Sequence, residues 1–406
     1  MKKLMILGAG TYQVPLIRTA KQMGLYTIVV SIPGNYPGFD YADKIYEIDT
    51  RDFSAVLKAA RAEEINGICT SGTDVAVSTI GYVCQEMGLT GIPYEASLTV
   101  TNKALMKEAF LKHNVSTSRG IRVYSAEEAL QAAEQLGYPV VVKRVDSSGS
   151  RGITVVKDAS SIETAFRHAI HRSLCDYALI EGFMSGNEIG VDGFVSGGKL
   201  VFLAPHDKFV YQGANITIPV GHAFPYPCTE AVWNEIAYQM QTAVTASGID
   251  NCSVNADVFV DGESVSIIEI GGRTGATCIP ELISMYYGFN FYEKMILNAL
   301  GESPDFTPAV PQPCMAKLLL SPVSGTITSY NKGRIQELLQ SGIQIALDYP
   351  VGHFVTAMED GTDRIGHVIA AVDSEDKLER ILSKVRKCIY INEKSLEEIW
   401  VESQNI

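Results

Sequence analysis

Residues 137–143 read Gly-Tyr-Pro-Val-Val-Val-Lys, and residues 146–152 continue as Asp-Ser-Ser-Gly-Ser-Arg-Gly. The run of β-branched residues predicts a buried strand, and the small polar residues after it predict a flexible loop. A buried ammonium is costly unless an anion meets it, so Lys143 at the end of this strand indicates an anion nearby. The backbone N–H groups of the loop and the charge of Arg151 suit phosphate oxygens, although an ordinary hairpin turn fits the same residues.

A second apolar strand is predicted over residues 178–181, and it ends on Glu181, with Glu188 seven residues further on. The backbone after this strand could pair with the edge of an adenine, and Glu188 could accept hydrogen bonds from ribose hydroxyls. A surface hairpin with two exposed glutamates fits the pattern equally well. Upstream, Lys103 begins a charged amphipathic helix that is predicted over residues 101–112.

Residues 255–260 and 264–270 read as the two strands of a hairpin, with one acidic residue in each. Asp257 and Glu269 face each other if the turn has three or five residues, whereas a two-residue turn puts them on opposite faces. We expect the odd-numbered turn because it also gathers apolar residues on the other face. These residues are Ala256, Val258, Val260, Ile268 and Ile270. Two carboxylates on one face repel each other unless a cation lies between them, which predicts Mg²⁺ (or Mn²⁺) held together with nucleotide phosphates.

The order and spacing of these parts resemble the ATP-grasp superfamily of carboxylate–amine ligases, which includes amino-acid ligases, biotin-carboxylase-like enzymes and purine-biosynthetic enzymes. The resemblance covers the whole chain and implies an α/β fold in three parts. A Rossmann-like preface domain with a parallel sheet spans residues 1–100, which also alternate short strands with helices. An α+β ATP-grasp domain in two subdomains spans residues 101–308, with a lid subdomain at about 115–184. A small C-terminal α/β domain spans residues 309–406.

The resemblance also implies which residues bind ATP. The two lysines contact its phosphates, the glycine-rich lid loop covers them, the adenine lies at the end of the second strand, and Glu188 holds the ribose. The implied nucleotide-binding residues are Lys103, Lys143, Ser147, Ser148, Gly149, Gly152, Glu181, Gly182, Phe183 and Glu188. Asp257 and Glu269 are implied as the metal ligands, and Lys143, Arg151 and Arg273 as the catalytic residues.

One departure from the family pattern lies in residues 269–273, which read Glu-Ile-Gly-Gly-Arg. Gly271 stands where family members carry an asparagine, so one metal contact is lost or taken by water. A similar glycine variant occurs in amino-acid ligases and favours that branch. Arg273 is implied to stabilise the acyl phosphate, because a guanidinium matches phosphate oxygens in a bidentate manner. The alternative role for Arg273 is a salt bridge to an acid of the hairpin.

Three residues are candidates for contacts with the substrate: Arg273, Asp74 and His222. Asp74 ends a loop after the fourth predicted strand, where open α/β sheets bind ligands, although a helix N-cap is the commoner role at such a position. His222 lies in a Gly-His-Ala-Phe-Pro segment that resembles the acceptor region of amino-acid ligases, and we expect it near the lip of a cleft. A structural histidine fits this position as well.

The expected reaction joins a carboxylate to an amine with release of ADP and phosphate. A carboxylate attacks the γ-phosphorus of ATP, and the amine captures the acyl phosphate. Three alternatives remain: a carboxylase that uses carboxyphosphate, a nucleotide-binding regulator with a degenerate site, and a nicotinamide oxidoreductase. The last is disfavoured because Gln13 replaces the third glycine of the loop that begins at Gly8.

Composition limits the partners of this 406-residue chain. Lys and Arg total 33 against 46 Asp and Glu, and the resulting net charge of −13 repels nucleic acid and anionic membranes. The apolar run at the N-terminus is too short for a signal peptide, and no run reaches the roughly 18 apolar residues of a membrane span. The 8 cysteines form no C-x-x-C pair. We therefore expect a cytoplasmic enzyme with small-molecule carboxylate and amine substrates, and a homodimer remains open.

Overall fold

The computed structural model describes residues 1–147, 151–212 and 217–403. The chain divides into two compact units. The first consists of Met1–Ala204, Pro227–Gly275 and Tyr292–Phe306, and the second of Pro205–Tyr226, Ala276–Phe291 and Thr307–Ile406. The three-domain division stays a prediction, because the first unit contains the preface segment together with much of the segment assigned to the ATP-grasp domain.

The N-terminal segment of the first unit is the predicted parallel sheet. Its elements are β1 (Lys3–Leu7), α1 (Val14–Gln22), β2 (Tyr26–Ser31), β3 (Lys44–Glu47), α2 (Phe53–Glu63), β4 (Gly67–Cys69), α3 (Val77–Met87) and α4 (Tyr94–Val100), with a 3₁₀ helix at Pro37–Tyr41. The four strands pair in parallel in the order β3-β2-β1-β4. The central strands β1 and β2 are buried along nearly their whole length, as expected for a parallel sheet covered on both faces.

The loop after β1 is filled by the side chain of Gln13. Its Oε1 accepts a hydrogen bond from the N–H of Gly10 at 2.9 Å, and its Nε2 donates to the carbonyl of Ser71 at 2.5 Å. In a dinucleotide-binding loop, a glycine at this position leaves room for close packing beneath the pyrophosphate. The position of Gln13 therefore argues against a nicotinamide cofactor.

The next segment forms a small antiparallel subdomain with its own hydrophobic core. Its elements are α5 (Lys103–Lys112), β5 (Gly120–Val123), α6 (Ala126–Leu136), β6 (Val140–Lys143), β7 (Ile153–Val156), α7 (Ile162–Ile170) and β8 (Ala178–Gly182), with a 3₁₀ helix at Ala159–Ser161. The sheet order is β5-β8-β6-β7, and all pairs are antiparallel. Residues of α6 and α7 pack on the strands around Val142 and Ile180. The strands predicted at 140–143 and 178–181 are thus confirmed.

A run of long strands follows. The elements are β9 (Asn187–Ser196), β10 (Lys199–Gln212), β11 (Thr217–Phe224), α8 (Glu230–Ser247), β12 (Cys252–Asp261), β13 (Ser264–Gly271), α9 (Ile279–Tyr287) and α10 (Phe291–Ala299). In the first unit, β12 lies between β9 and β13 in an antiparallel arrangement. From the sequence alone, residues 281–300 read as one helix, but Gly288 ends α9 in the left-handed region with φ of 75°, so α9 and α10 are separate.

The second unit contains most of the C-terminal residues. Its further elements are β14 (Cys314–Leu319), β15 (Gly325–Tyr330), α11 (Lys332–Gln340), β16 (Gln344–Leu347), β17 (Phe354–Val355), β18 (Gly366–Ala370), α12 (Glu375–Arg386), β19 (Ile389–Ile391), β20 (Lys394–Ser395) and α13 (Leu396–Ser403), with a 3₁₀ helix at Gly361–Asp363. The later residues of β10 pair with β11, and the sheet continues in the order β11-β14-β18-β16. A smaller sheet has the order β17-β15-β19-β20. From the sequence we expect strands and one basic amphipathic helix, at 375–388, in the last 90 residues; that helix is α12, and α11 and α13 were not predicted. In α11 only Leu338 is buried, so that helix has little apolar periodicity to detect. None of the helices in the described ranges has the length and apolarity needed to cross a membrane.

Candidate active site

The hairpin of β12 and β13 places two carboxylates opposite each other. Asp257 pairs in register with Glu269, as predicted. The predicted turn is wrong, however, because Asp261 pairs with Ser264 and only two residues lie between them. A regular hairpin with this turn would put the two carboxylates on opposite faces.

A β-bulge restores the predicted pairing. Val258 pairs with Ile267, whereas its neighbour Asp257 pairs with Glu269, so Ile268 is the extra residue on β13. The bulge also changes the apolar face, because Ile267 is fully buried and Ile268 is partly exposed. Ile268 therefore does not belong to the predicted buried set, and Ile267 takes its place.

Further polar residues lie on the same face of the sheet as the two acids. Asn255 pairs with Asp192 of β9, and Glu188 lies four residues before Asp192 on that strand. Because side chains alternate along a strand, all five polar side chains share one face. We call this the carboxylate face and define it by Glu188, Asp192, Asn255, Asp257 and Glu269.

Lys103 forms an ion pair with Glu269. Its Nζ lies 2.6 Å from the carboxylate and also donates to the carbonyl of Ser147 at 2.9 Å. Asn102 caps the helix that Lys103 begins, by accepting a hydrogen bond from Ala104. Burial opposes both charges, but the attraction to Glu269 outweighs it and raises the pKa of Lys103. Likewise Lys103, helped by Lys143 and Arg273, outweighs burial and lowers the pKa of Glu269 to about 2, so Glu269 is ionised at neutral pH.

Lys143 is met by Glu181. The Nζ of Lys143 lies 2.6 Å from one carboxylate oxygen of Glu181, and the Nζ of Lys107 lies 3.2 Å from the other. All three side chains are at most 8% exposed. Burial favours the neutral acid, but the two ammonium groups outweigh it and lower the pKa of Glu181. The anion that we expected beside Lys143 is thus the carboxylate of Glu181, within the protein itself. Lys107 was missed, although its spacing of four residues from Lys103 puts both lysines on one helix face.

We expect Glu181→Gln to destabilise the protein by about 3–5 kcal/mol, because it leaves two buried ammonium groups without a counter-charge. The measurement is the free energy of unfolding in urea. The matched control is Glu163→Gln, which breaks the exposed pair with Arg167 and costs about 0.5 kcal/mol. Equal stability losses in the two variants would contradict the buried network.

The segment predicted to bind adenine already uses two of its backbone donors. The N–H of Gly182 donates to the carbonyl of Arg119 at 3.0 Å, and the N–H of Phe183 donates to the carbonyl of Pro139 at 3.2 Å. The side chain of Phe183 is exposed. An adenine at this segment would therefore have to use carbonyl groups or residues beyond Phe183.

The predicted lid loop is described at its two ends. Ser147 Oγ donates to the carbonyl of Arg151 at 2.6 Å. Gly152 has φ of 71°, and its carbonyl accepts a hydrogen bond from the N–H of Arg144 at 2.8 Å. Ser148 and Gly149, which were predicted to contact phosphate, lie outside the described residues.

Arg273 is held by Asp74 rather than by an acid of the hairpin. Its Nε and Nη2 each donate to one oxygen of the Asp74 carboxylate at 2.8 Å. The attraction of Asp74 outweighs burial and raises the pKa of Arg273. Asp74 is not a side-chain N-cap, because α3 begins only at Val77 and the carboxylate is bound to the guanidinium. The predicted salt bridge of Arg273 thus exists with a different partner.

Two pockets are lined by eight of the sixteen predicted site residues. An open cleft of about 660 Å³ is lined by Asp74, Lys103, Ser147, Arg151, Glu269 and Arg273 among others. Its volume is in the range of small-molecule sites, about 300–1,000 Å³. A smaller pocket is lined by Lys103, Lys143, Glu181 and Glu269. Neither lining includes Asp257 or Glu188, which lie on the carboxylate face.

His222 lies on β11 in the second unit and is buried, with 4% of its surface exposed. Its ring packs edge-on against His206, with 4.7 Å between the ring centres. Burial, with a smaller effect of His206, holds the pKa of His222 well below its usual value, so the ring is neutral. The expectation of a position at the lip of a cleft is therefore wrong: His222 is a packed residue of the sheet.

The pair of Asp257 and Glu269 could hold a magnesium ion only together with further ligands such as phosphate oxygens and water. Over residues 1–147, 151–212 and 217–403, no group of three or more His, Cys, Asp or Glu side chains could hold a metal ion. Mg²⁺ is commonly held by one or two carboxylates together with phosphate oxygens and water. Asp257 and Glu269 fit that role, since Glu269 is ionised and the pair lies on one face.

Known proteins resemble this chain in sequence and in fold. Residues 136–281 match the ATP-grasp domain family. A formate-dependent phosphoribosylglycinamide formyltransferase from Wolinella succinogenes is 30% identical over 302 residues, which are 73% of this chain and 76% of that protein. Phosphoribosylglycinamide synthetase from Anaerococcus prevotii superposes with a TM-score of 0.81 at 28% identity and covers 97% of this chain and 100% of its own. An L-amino acid ligase from Bacillus licheniformis superposes with a TM-score of 0.80 at 18% identity and covers 97% of this chain and 99% of its own. At this identity the likeness is one of fold.

Proposed function

The chain belongs to the ATP-grasp family of ligases, and we propose that it joins a carboxylate to an amine through an acyl phosphate, with ADP and phosphate as the other products. The observation that carries this proposal is the ion pair of Lys103 with Glu269, which lines both the 660 Å³ cleft and the smaller pocket that holds Lys143. Within the family we propose an amino-acid ligase, and Gly271 supports that branch.

In this proposal ATP lies along the two pockets. Lys103, Lys143 and Arg151 hold its phosphates, Glu188 holds the ribose, and residues 181–183 contact the adenine. When a phosphate oxygen takes the ammonium of Lys103, the carboxylate of Glu269 becomes available to a cation. Asp257 and Glu269 would then hold Mg²⁺, or Mn²⁺, which neutralises phosphate charge when bound.

The remaining chemistry needs position and charge rather than a side-chain nucleophile. An oxygen of the substrate carboxylate attacks the γ-phosphorus in line, and ADP leaves. The amine nitrogen then attacks the acyl carbon, the bond to phosphate breaks, and the amine loses a proton. Arg273 stabilises the negative charge that develops on the oxygens in both steps. The site must exclude water, which would otherwise hydrolyse the acyl phosphate.

The proposal is tested by a screen for ADP release from the purified full chain with ATP and Mg²⁺. The panel contains L-amino acids and small carboxylates as acids, each with and without an amine. We expect at least one acid and amine pair to raise ADP release and to yield an amide of matching mass. Release that depends on bicarbonate alone would favour the carboxylase that uses carboxyphosphate. A lack of release with every pair would favour a nucleotide-binding regulator.

Three further expectations belong to this proposal. The substrates are small molecules, because the net charge of −13 disfavours nucleic acid and anionic membranes. A homodimer and a cytoplasmic location stay predictions. Light scattering of the purified chain measures its molar mass and so decides whether it forms a homodimer.

A further inference from the structure

The guanidinium of Arg273 is nearly saturated with hydrogen bonds inside the protein. Two of its N–H groups donate to Asp74. Nη1 donates to Asn255 Oδ1 at 3.0 Å and to the carbonyl of Thr274 at 3.1 Å. An arginine has five N–H donors, so these four bonds leave one, on Nη2. Arg273 therefore presents one donor and its positive charge, and its bidentate edge faces Asp74.

The partners of Arg273 are themselves held in place. Asn255 Nδ2 donates to Asp192 at 2.7 Å, and the fully buried Asp192 also accepts hydrogen bonds from Thr274 Oγ1 at 3.0 Å and from the N–H of Gly275 at 2.8 Å. Asp192 thus ties the side chain of Asn255 to the backbone that follows Arg273. The orientation of the guanidinium is fixed from two sides, by this bonded group and by Asp74.

Gly271 makes the space that Asp74 uses. A Cβ atom at position 271 would lie 3.2 Å from Asp74 Oδ1, which is closer than nine in ten contacts of a Cβ. The same atom would lie 3.8 Å from the guanidinium carbon. Any side chain at this position would therefore press on the carboxylate. The carboxylate of Asp74 beside position 271 therefore gives a structural reason for the glycine there.

We propose that Asp74 is a positioning residue, which orients Arg273 so that its charge and its remaining Nη2 donor are directed at the reacting group, and that Gly271 is required for this arrangement. The inference rests on the proposed role of Arg273 in the ligase reaction. Asp74 contributes from the loop after β4, whereas Arg273 follows β13, so the preface segment completes a site built on the hairpin. A charged, two-point bond holds a side chain in one orientation far better than a single neutral bond.

The test is Asp74→Asn, which keeps the size of the side chain. It replaces one accepting carboxylate oxygen by an NH₂ group, which cannot accept a hydrogen bond from the Arg273 guanidinium. We expect kcat to fall about 10- to 100-fold, the loss that follows when a residue supporting a functional group is removed. The KM for ATP and the affinity for ADP with Mg²⁺, measured by calorimetry, should change less than about twofold. Enzyme turnover is measured with the best acid and amine pair of the screen, and trapping of ADP with aluminium fluoride provides a readout that needs no substrate pair.

Two further variants separate positioning from stability. In an Arg273→Lys background, Asp74→Asn should cause little additional loss, because a lysine has no planar fork for Asp74 to orient. Gly271→Ala should lower kcat in the wild-type chain but not in the Asp74→Asn chain. The matched control is Asp348→Asn, which breaks a similar two-point bond to Arg364 in the second unit. It should lower the melting temperature without changing kcat in the folded fraction.

The outcomes distinguish the inference from the function on which it rests. A loss of turnover and of aluminium fluoride trapping in Arg273→Lys, with none in Asp74→Asn, would overturn the inference and leave the proposed function intact. Losses that multiply in the double variant would show a purely structural role for Asp74 and overturn the inference as well. Unchanged turnover and trapping in Arg273→Lys would overturn the proposed role of Arg273 itself.

Discussion

Glu269→Gln is expected to lower the kcat for ATP-dependent ADP production at least about a hundredfold. The substitution removes one of the two charges that would hold Mg²⁺, and metal charge on a transferring phosphoryl group is worth several kcal/mol, where each 1.36 kcal/mol corresponds to a factor of ten. It also leaves the ammonium of Lys103, 2.6 Å away, without its carboxylate partner. The measurement is steady-state turnover at increasing Mg²⁺ concentration.

The control for this variant lies on the same hairpin. Glu263 is exposed in the two-residue turn, so Glu263→Gln changes the net charge equally and should leave kcat within about twofold of the wild type. A thermal melt checks that both variants are folded. If Glu269→Gln keeps wild-type turnover at saturating Mg²⁺, the assignment of the metal ligands is wrong.

Arg273→Met is expected to lower kcat by about a hundredfold to a thousandfold, the cost of removing one preorganised group that stabilises developing negative charge. The KM for ATP should change little, because the phosphates are assigned to Lys103 and Lys143 rather than to Arg273. Initial rates over a range of ATP concentrations separate the two parameters.

The matched control is Arg167→Met, which removes an exposed arginine from α7 and should leave both parameters unchanged. A variant Arg273→Met whose KM for ATP rises while kcat is preserved would place Arg273 in ATP binding. That result would contradict its role in stabilising the acyl phosphate.

The parts of the site that local sequence patterns specify were predicted correctly. The strand that ends at Lys143 follows from its β-branched run, whereas the pairing of Asp257 with Glu269 was predicted correctly from a wrong turn. The turn was predicted wrongly because a bulge adds one residue to β13, and alternation of side chains cannot distinguish an odd turn from an even turn with a bulge. The shorter turn and the bulge at Ile268 offset each other, so the predicted pairing was still correct.

Contacts between distant segments could not be predicted from the sequence. Asp74 and Arg273 are 199 residues apart, and no local pattern links a loop after β4 to the end of β13. The internal partner of Lys143 was also unforeseen, since Glu181 was assigned to the adenine-binding segment by its position at a strand end. His222 was misplaced because a short motif carries no information about burial, which depends on neighbouring strands.

The two lysines assigned to the phosphates are each paired with a carboxylate. Lys103 and Lys143 are each neutralised by a carboxylate, so the cost of burying their charges is met within the protein. In the proposed binding mode, nucleotide phosphates compete with these carboxylates for the same ammonium groups. We therefore expect nucleotide and Mg²⁺ to strengthen each other's binding, since release of Glu269 from Lys103 prepares the metal ligand.

The most direct test of the central claim is an anomalous difference map from crystals of the chain grown with ADP and Mn²⁺. We predict a peak between the carboxylates of Asp257 and Glu269, within about 2.2 Å of an oxygen from each, with Lys103 turned towards phosphate. A metal peak elsewhere beside bound ADP, with Lys103 still paired to Glu269, would contradict the claim.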